Sequence, residues 1–99
     1  MRDAPKATSL SAEEIKEALR DLPGWAFVDN KLHKEFRFKN FSEAFGFMTR
    51  VAIEAEIMNH HPEWHNTYNV VIIALYRHSN DDVTDLDVML ALKIESLLI

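Results

Sequence analysis

The hydrophobic period of this chain changes abruptly at a single proline, and that change limits what it can fold into. From Phe41 onward, Phe41, Ala44, Phe45, Met48, Val51, Ala52, Ala55 and Met58 recur every three to four positions, the spacing of a helix face turned toward a core. Pro62 forbids further helix and biases His61 toward extended backbone, so the helix is expected to end near Asn59. Residues 70–78 (Val-Val-Ile-Ile-Ala-Leu-Tyr-Arg-His) then form an apolar, β-branched run. Alternation puts Val71, Ile73 and Leu75 on one side of that strand and Ile72, Ala74, Tyr76 and His78 on the other. Residues 65–69 are a short strand beside it.

The remaining elements follow from local signals. Ser11-Ala12-Glu13-Glu14 is a capping box, with Leu10 and Ile15 placed as a hydrophobic staple. It opens a helix carrying Ile15, Ala18, Leu19 and Leu22, which Pro23-Gly24 ends. Residues 25–28 and 31–38 read as two strands joined at Asp29-Asn30, a pair suited to a turn that needs positive φ. Leu32, Phe36 and Phe38 share one face of the second strand; His33, Glu35 and Arg37 share the other. Asn40 caps the long helix with Glu43 three residues on. Thr84, with Asp87 at the equivalent position, caps a last helix whose core stripe is Leu86, Leu90, Ile94 and Leu97, and Val83 and Val88 form its staple. The order is α-β-β-α-β-β-α. The expected class is α+β: a four-stranded antiparallel sheet with helices packed on one face. Residues 1–8 read as a flexible N-terminal tail and residues 9–99 as a single domain.

Composition removes whole classes of function. Hydrophobic residues are 47% of the chain, enough for one core, which excludes a wholly disordered protein. Cysteine is absent, so disulfides, Cys-based zinc or iron–sulfur sites and a thiol nucleophile are excluded. The net charge of -5 argues against direct nucleic-acid binding, which needs a basic face. No stretch approaches the ~20 apolar residues of a membrane span. Residues 1–9 lack an apolar signal region, so the cytoplasm is the default location.

Chemistry concentrates in Asn59-His60-His61-Pro62-Glu63-Trp64-His65. One reading is bland: histidines at a helix C-terminus favoured by its dipole. A metal site is a second reading, but His61 and His65 flank Pro62, so no regular helix carries both, and no His-Glu-x-x-His motif exists. The third reading is acid–base catalysis, because histidine titrates nearest to neutral pH. Histidines converging on one pocket can run a dehydration without metal or cofactor, one protonating a departing hydroxyl while another removes a proton next to it.

The spaced set Glu56-x-x-x-His60-His61-Pro62, Tyr68, His78 and Asp87 resembles the signature of the pterin-4a-carbinolamine dehydratase family. Residues 44–52 (Ala-Phe-Gly-Phe-Met-Thr-Arg-Val-Ala), His60-His61-Pro62-Glu63-Trp64 and Leu10-Ser11-Ala12-Glu13-Glu14 match its surrounding text, so the resemblance spans about residues 9–99. It implies the α-β-β-α-β-β-α fold and the dehydration of 4a-hydroxytetrahydropterin to quinonoid dihydropterin plus water. That step recycles the pterin of aromatic amino-acid hydroxylases. It also implies that His60, His61 and His78 are the active-site histidines and that Asn59-His60-His61 and Tyr76-Arg77-His78 contact substrate. His60 and His78 are expected to be the acid–base pair and His61 a binding group. Asp87 has two readings, a capping partner of Thr84 or part of the site. Trp64 is either a stacking surface for the pterin or a core aromatic. Glu56 either orients His60 from i-4 or is solvated. Tyr76-Arg77 replaces the small Ser-Thr pair common in animal members, so the bulk of Tyr76 is expected to narrow the pocket.

No cofactor and no metal are expected. A homodimer or homotetramer is, built in part from Ile53 and Ile57, which lie off the core stripe of the long helix, with Phe47 joining them. Two other functions stay open: a protein-binding, coactivator-like module, as in some animal relatives, and a dehydratase acting on another pterin, such as one of molybdopterin metabolism.

Overall fold

The computed structural model describes residues 6–98. Helix α1 (Ala12–Leu19) is followed by strands β1 (Ala26–Val28) and β2 (Lys31–Arg37), the long helix α2 (Phe41–Met58), strands β3 (Glu63–Thr67) and β4 (Val70–Leu75), and helix α3 (Asp85–Ser96). The strands form one antiparallel sheet in the order β1-β2-β4-β3, so β4 is central although it comes last in the chain. The expected order and class are both observed.

Local chemistry fixes the joints. The Ser11 hydroxyl accepts the Glu14 N–H at 3.1 Å while Glu14 Oε1 accepts the Ser11 N–H at 2.9 Å, the reciprocal capping box. Asp29 and Asn30 both have positive φ, 51° and 61°, which makes the two-residue turn whose twist matches its strands. The second hairpin turns at Tyr68-Asn69, with Tyr68 at φ 51°. Asn66 braces that turn by donating its amide to the Tyr68 and Val70 carbonyls at 3.0 and 2.8 Å. Because the turn takes Tyr68 and Asn69, β3 lies two residues earlier than the 65–69 expected. Strand β4 stops at Leu75, not His78, because the chain bends back there: the Arg77 N–H donates to the Asp82 carbonyl at 2.7 Å.

Register then sets the faces. Leu32 opposes Leu75, Phe36 opposes Val71, and Trp64 opposes Ile73, so the apolar residues of three strands share the helix-covered face. Leu32, Val71, Ile73 and Leu75 are fully buried there. The helices add Ile15, Ala44, Phe47, Val51, Ala55, Leu90, Ala91 and Ile94.

Helix α2 departs from its expected phase. The buried stripe is Ala44, Phe47, Val51 and Ala55, with Met48 and Met58 packed beside it. Phe47 is fully buried against Phe36 and Phe38, at ring-centroid distances of 5.0 and 4.9 Å, and does not join Ile53 and Ile57 on the outside. Phe41 and Phe45, expected in the core, are instead half-exposed and lie against each other. The helix is apolar on more than one face, so spacing alone admits two phases, and the sheet selects the one that buries Phe47.

The described part of the N-terminal segment is held to the start of α3. Leu10 N–H donates to Val83 O at 3.0 Å, and Thr8 and Asp85 exchange two bonds at 2.9 and 3.0 Å. Residues 1–5 of the expected tail lie outside the described residues. No helix of the described residues is long and apolar enough to cross a membrane.

Candidate active site

The C-terminus of α2 aims two histidines in different directions. Asn59 takes the left-handed conformation (φ 51°, ψ 42°) that asparagine tolerates as a helix terminator, and the His60 N–H reaches back to the Ala55 carbonyl at 3.0 Å. This reversal turns His60 toward α3, where its Nε2 meets Oδ1 of Asp87. Asp87 is fully buried, and its other oxygen, Oδ2, accepts the Thr84 N–H at 2.8 Å and the Thr84 hydroxyl at 3.3 Å. The two readings of Asp87 are therefore two oxygens of one carboxyl group: one completes the helix cap, the other holds the histidine. A buried carboxyl group left without such partners would be costly, and here every side of it is engaged.

His61 points outward. Its Nε2 lies 2.7 Å from Glu56 Oε1, and both side chains are largely exposed. Glu56 therefore pairs with His61 and not with His60, as i,i+4 spacing had suggested. The left-handed Asn59 breaks the helical phase, so the i+5 residue is the one within reach.

The third histidine comes from the segment after β4. Tyr76, Arg77 and His78 line a cavity of about 390 Å³ together with Asn59, His60 and His61. Ala7, Ser79 and Leu86 complete its walls. The volume falls in the ~300–1,000 Å³ range of small-molecule sites. The six residues expected to meet substrate thus meet at one cavity. Trp64 does not line it; the ring packs against the core beneath the sheet. Ala7, Ser79 and Leu86 carried no chemical signal in the sequence, because their contribution is shape.

Arg77 lines the cavity, and its guanidinium is engaged by Asp82. Nε and one terminal nitrogen clasp the two Asp82 oxygens at 2.9 and 2.7 Å, and the other terminal nitrogen is 3.5 Å from the Ala7 carbonyl. The Ser9 hydroxyl donates to the same Asp82. Arg77 and then Ser9 hold the Asp82 carboxyl below the usual carboxylate value, and Asp82 in turn raises Arg77. This clasp closes the 77–82 loop that carries His78. Sequence reasoning did not single out Asp82, although a loop Asp five residues after an Arg was its signal.

Tyr76 is held at its hydroxyl, which donates to Glu63 Oε1 at 2.9 Å. That bond, and then the Lys31 ammonium, lowers the Glu63 carboxyl below its usual range, and Glu63 raises the Tyr76 phenol. Among the described residues no three His, Asp or Glu side chains gather in an arrangement that could hold a metal ion.

The fold and site together define a class: a small α+β domain presenting three histidines at one pocket, one of them backed by a buried carboxyl group. The comparisons with known proteins agree. The family model for pterin 4 alpha carbinolamine dehydratase matches residues 8–97. A relative from Prochlorococcus marinus (strain MIT 9303), provisionally named a pterin-4-alpha-carbinolamine dehydratase, is 52% identical over 85 residues, covering 86% of this chain and 88% of the relative. One from Solibacter usitatus with the same provisional name is 49% identical, covering 91% and 95%. A crystal structure of a transcriptional coactivator/pterin dehydratase from Brucella melitensis superposes with a TM-score of 0.87 at 46% identity, covering 91% of this chain and 98% of that one. The chain belongs to the pterin-4-alpha-carbinolamine dehydratase family.

Proposed function

We propose that this protein is a hydro-lyase that dehydrates 4a-hydroxytetrahydropterin to quinonoid dihydropterin and water, with His60 and His78 as its proton-transfer pair. The observation that carries the reading is the meeting of His60, His61 and His78 at one cavity, with Asp87 behind His60. With Nε2–H donated to Asp87, neutral His60 keeps its lone pair on Nδ1, the nitrogen able to accept a proton. His60 takes the proton from N5 of the substrate, the N5 electron pair closes the N5–C4a double bond, and the C4a–oxygen bond breaks. His78 gives its proton to the departing hydroxyl, which leaves as water. Solvent resets both imidazoles. His61, exposed and paired with Glu56, binds and orients the ring. No step calls on a metal or cofactor.

The product fits recycling of the pterin used by aromatic amino-acid hydroxylases, in the cytoplasm. The test generates the carbinolamine in situ and follows its dehydration. Purified protein should accelerate it over the spontaneous rate and keep that acceleration after dialysis against a strong chelator. A rate equal to the spontaneous one contradicts the proposal.

The same reading includes a homodimer or homotetramer. Phe41, Phe45, Ile53 and Ile57 are 50–64% exposed on the outer side of α2. Gly46 shares that side, and a Cβ built there would meet nothing closer than 3.5 Å within the protomer, so its own fold does not require a glycine. A close approach by a second copy gives the glycine a purpose. Light scattering decides this: a mass of 11.5 kDa at micromolar concentration contradicts it.

A further inference from the structure

The three histidines of the site are steadied by different means. Asp87 holds His60 and Glu56 holds His61, each through a ring nitrogen. Among the described residues no hydrogen bond holds the His78 imidazole. Its contact is a ring: the Tyr76 and His78 centroids are 4.6 Å apart, with planes tilted by 41°. This lies within the range where aromatic rings attract beyond their buried area.

Tyr76 is itself fixed from both flanks of β4. On one side β2 places Lys31 next to it, since Leu32 opposes Leu75 and the register carries one residue further. The Lys31 ammonium sits 4.5 Å from the Tyr76 ring centroid, a cation–π contact. On the other side β3 supplies Glu63, whose Oε1 accepts the phenol hydroxyl at 2.9 Å and whose Oε2 takes Lys31 at 3.3 Å. Lys31, Glu63 and Tyr76 thus close a triangle across three strands, at the place where β4 ends and the loop to His78 begins. Neither Lys31 nor Glu63 lines the cavity.

We propose that Tyr76 is the positioning residue for His78, and that Lys31 and Glu63 act on the reaction through it. Its ring limits the imidazole to one orientation toward the cavity, and the tether at its hydroxyl limits the ring. A side chain on a strand that neighbours β4 then influences the proton-transfer step without touching substrate. The kinetic part rests on the dehydratase reading; the geometric part does not.

The experiment uses the full chain and two readouts. In NMR, the ring protons of His78 should lie upfield in the wild type, under the Tyr76 ring current, and move downfield in Tyr76→Leu. Unchanged His78 shifts in that variant overturn the proposal whatever the protein catalyses. In steady-state dehydration, Tyr76→Phe and Glu63→Ala should each lower kcat roughly threefold to tenfold at unchanged KM. That is well short of the ~10²-fold that a 1 Å misplacement of a reacting group costs. The double variant should be no slower than either single one, because both cut the same link. Wild-type kcat in Glu63→Ala, a residue on the surface and outside the cavity, overturns it, as does a purely KM effect. If wild-type protein shows no acceleration, the dehydratase reading fails and the His78 shifts alone decide the positioning.

Discussion

His60 and His78 face the same cavity from opposite kinds of structure. His60 is built into the interior: a helix end aims it, a buried carboxyl group fixes its ring nitrogen, and that carboxyl group also caps α3. His78 sits exposed on a loop, steadied by a half-buried tyrosine and an Arg77–Asp82 clasp. The same residue type is thus placed once by the core and once by surface contacts. The difference teaches where the site can change without loss of the fold. The carboxyl group behind His60 cannot be replaced without disturbing a helix cap, whereas the His78 side can be re-tuned through residues that carry little of the core.

Asp87→Ala breaks the comparison most severely. It removes the acceptor for the His60 ring, the Thr84 N–H and the Thr84 hydroxyl at once. Leaving such buried donors unpaired costs about 1–3 kcal/mol, and dehydration should fall at least about tenfold, the factor that ~1.4 kcal/mol of lost orientation would give. A thermal melt and a rate measurement on the same preparation check both halves. A variant with normal stability and rate would show that the cap and the histidine are independent of Asp87.

Asp82→Ala should do less, and its effect should depend on pH. The folded Asp82 titrates below its ordinary value of 3.8, so its stabilising contribution is whole above that value and is lost as pH falls through the folded one. The melting temperature of Asp82→Ala should therefore trail the wild type by a constant small margin from pH 7 to about pH 4, and the gap should close below that. A gap that persists unchanged into strong acid would mean the Asp82 contribution is not ionic.

Much of this contrast was legible in the amino-acid order, and unevenly. Caps, turns and strand parity are local, so Ser11, Asp29-Asn30, Asn40, Asn59 and the Val71-Ile73-Leu75 face were readable residue by residue. The phase of α2 was not, because a helix apolar on both sides needs a sheet to choose Phe47 over Phe41 and Phe45. The cluster of His60, His61 and His78 was visible as a spaced motif. Its partners were less so. Glu56 changed histidine because one left-handed residue shifts the register by one, and Lys31, Glu63 and Asp82 act through pairings 13 to 32 residues apart or across a bent loop that no period marks.

The central claim is that His60 and His78 move the protons. It is tested most directly by the dehydration rates of His60→Ala and His78→Ala, with circular dichroism on the same samples. Positioned acid–base groups contribute typically ~10²–10⁴-fold. Each variant should drop toward the spontaneous rate by up to that factor while keeping the wild-type spectrum. Wild-type rates in both variants, with the fold intact, would contradict the account.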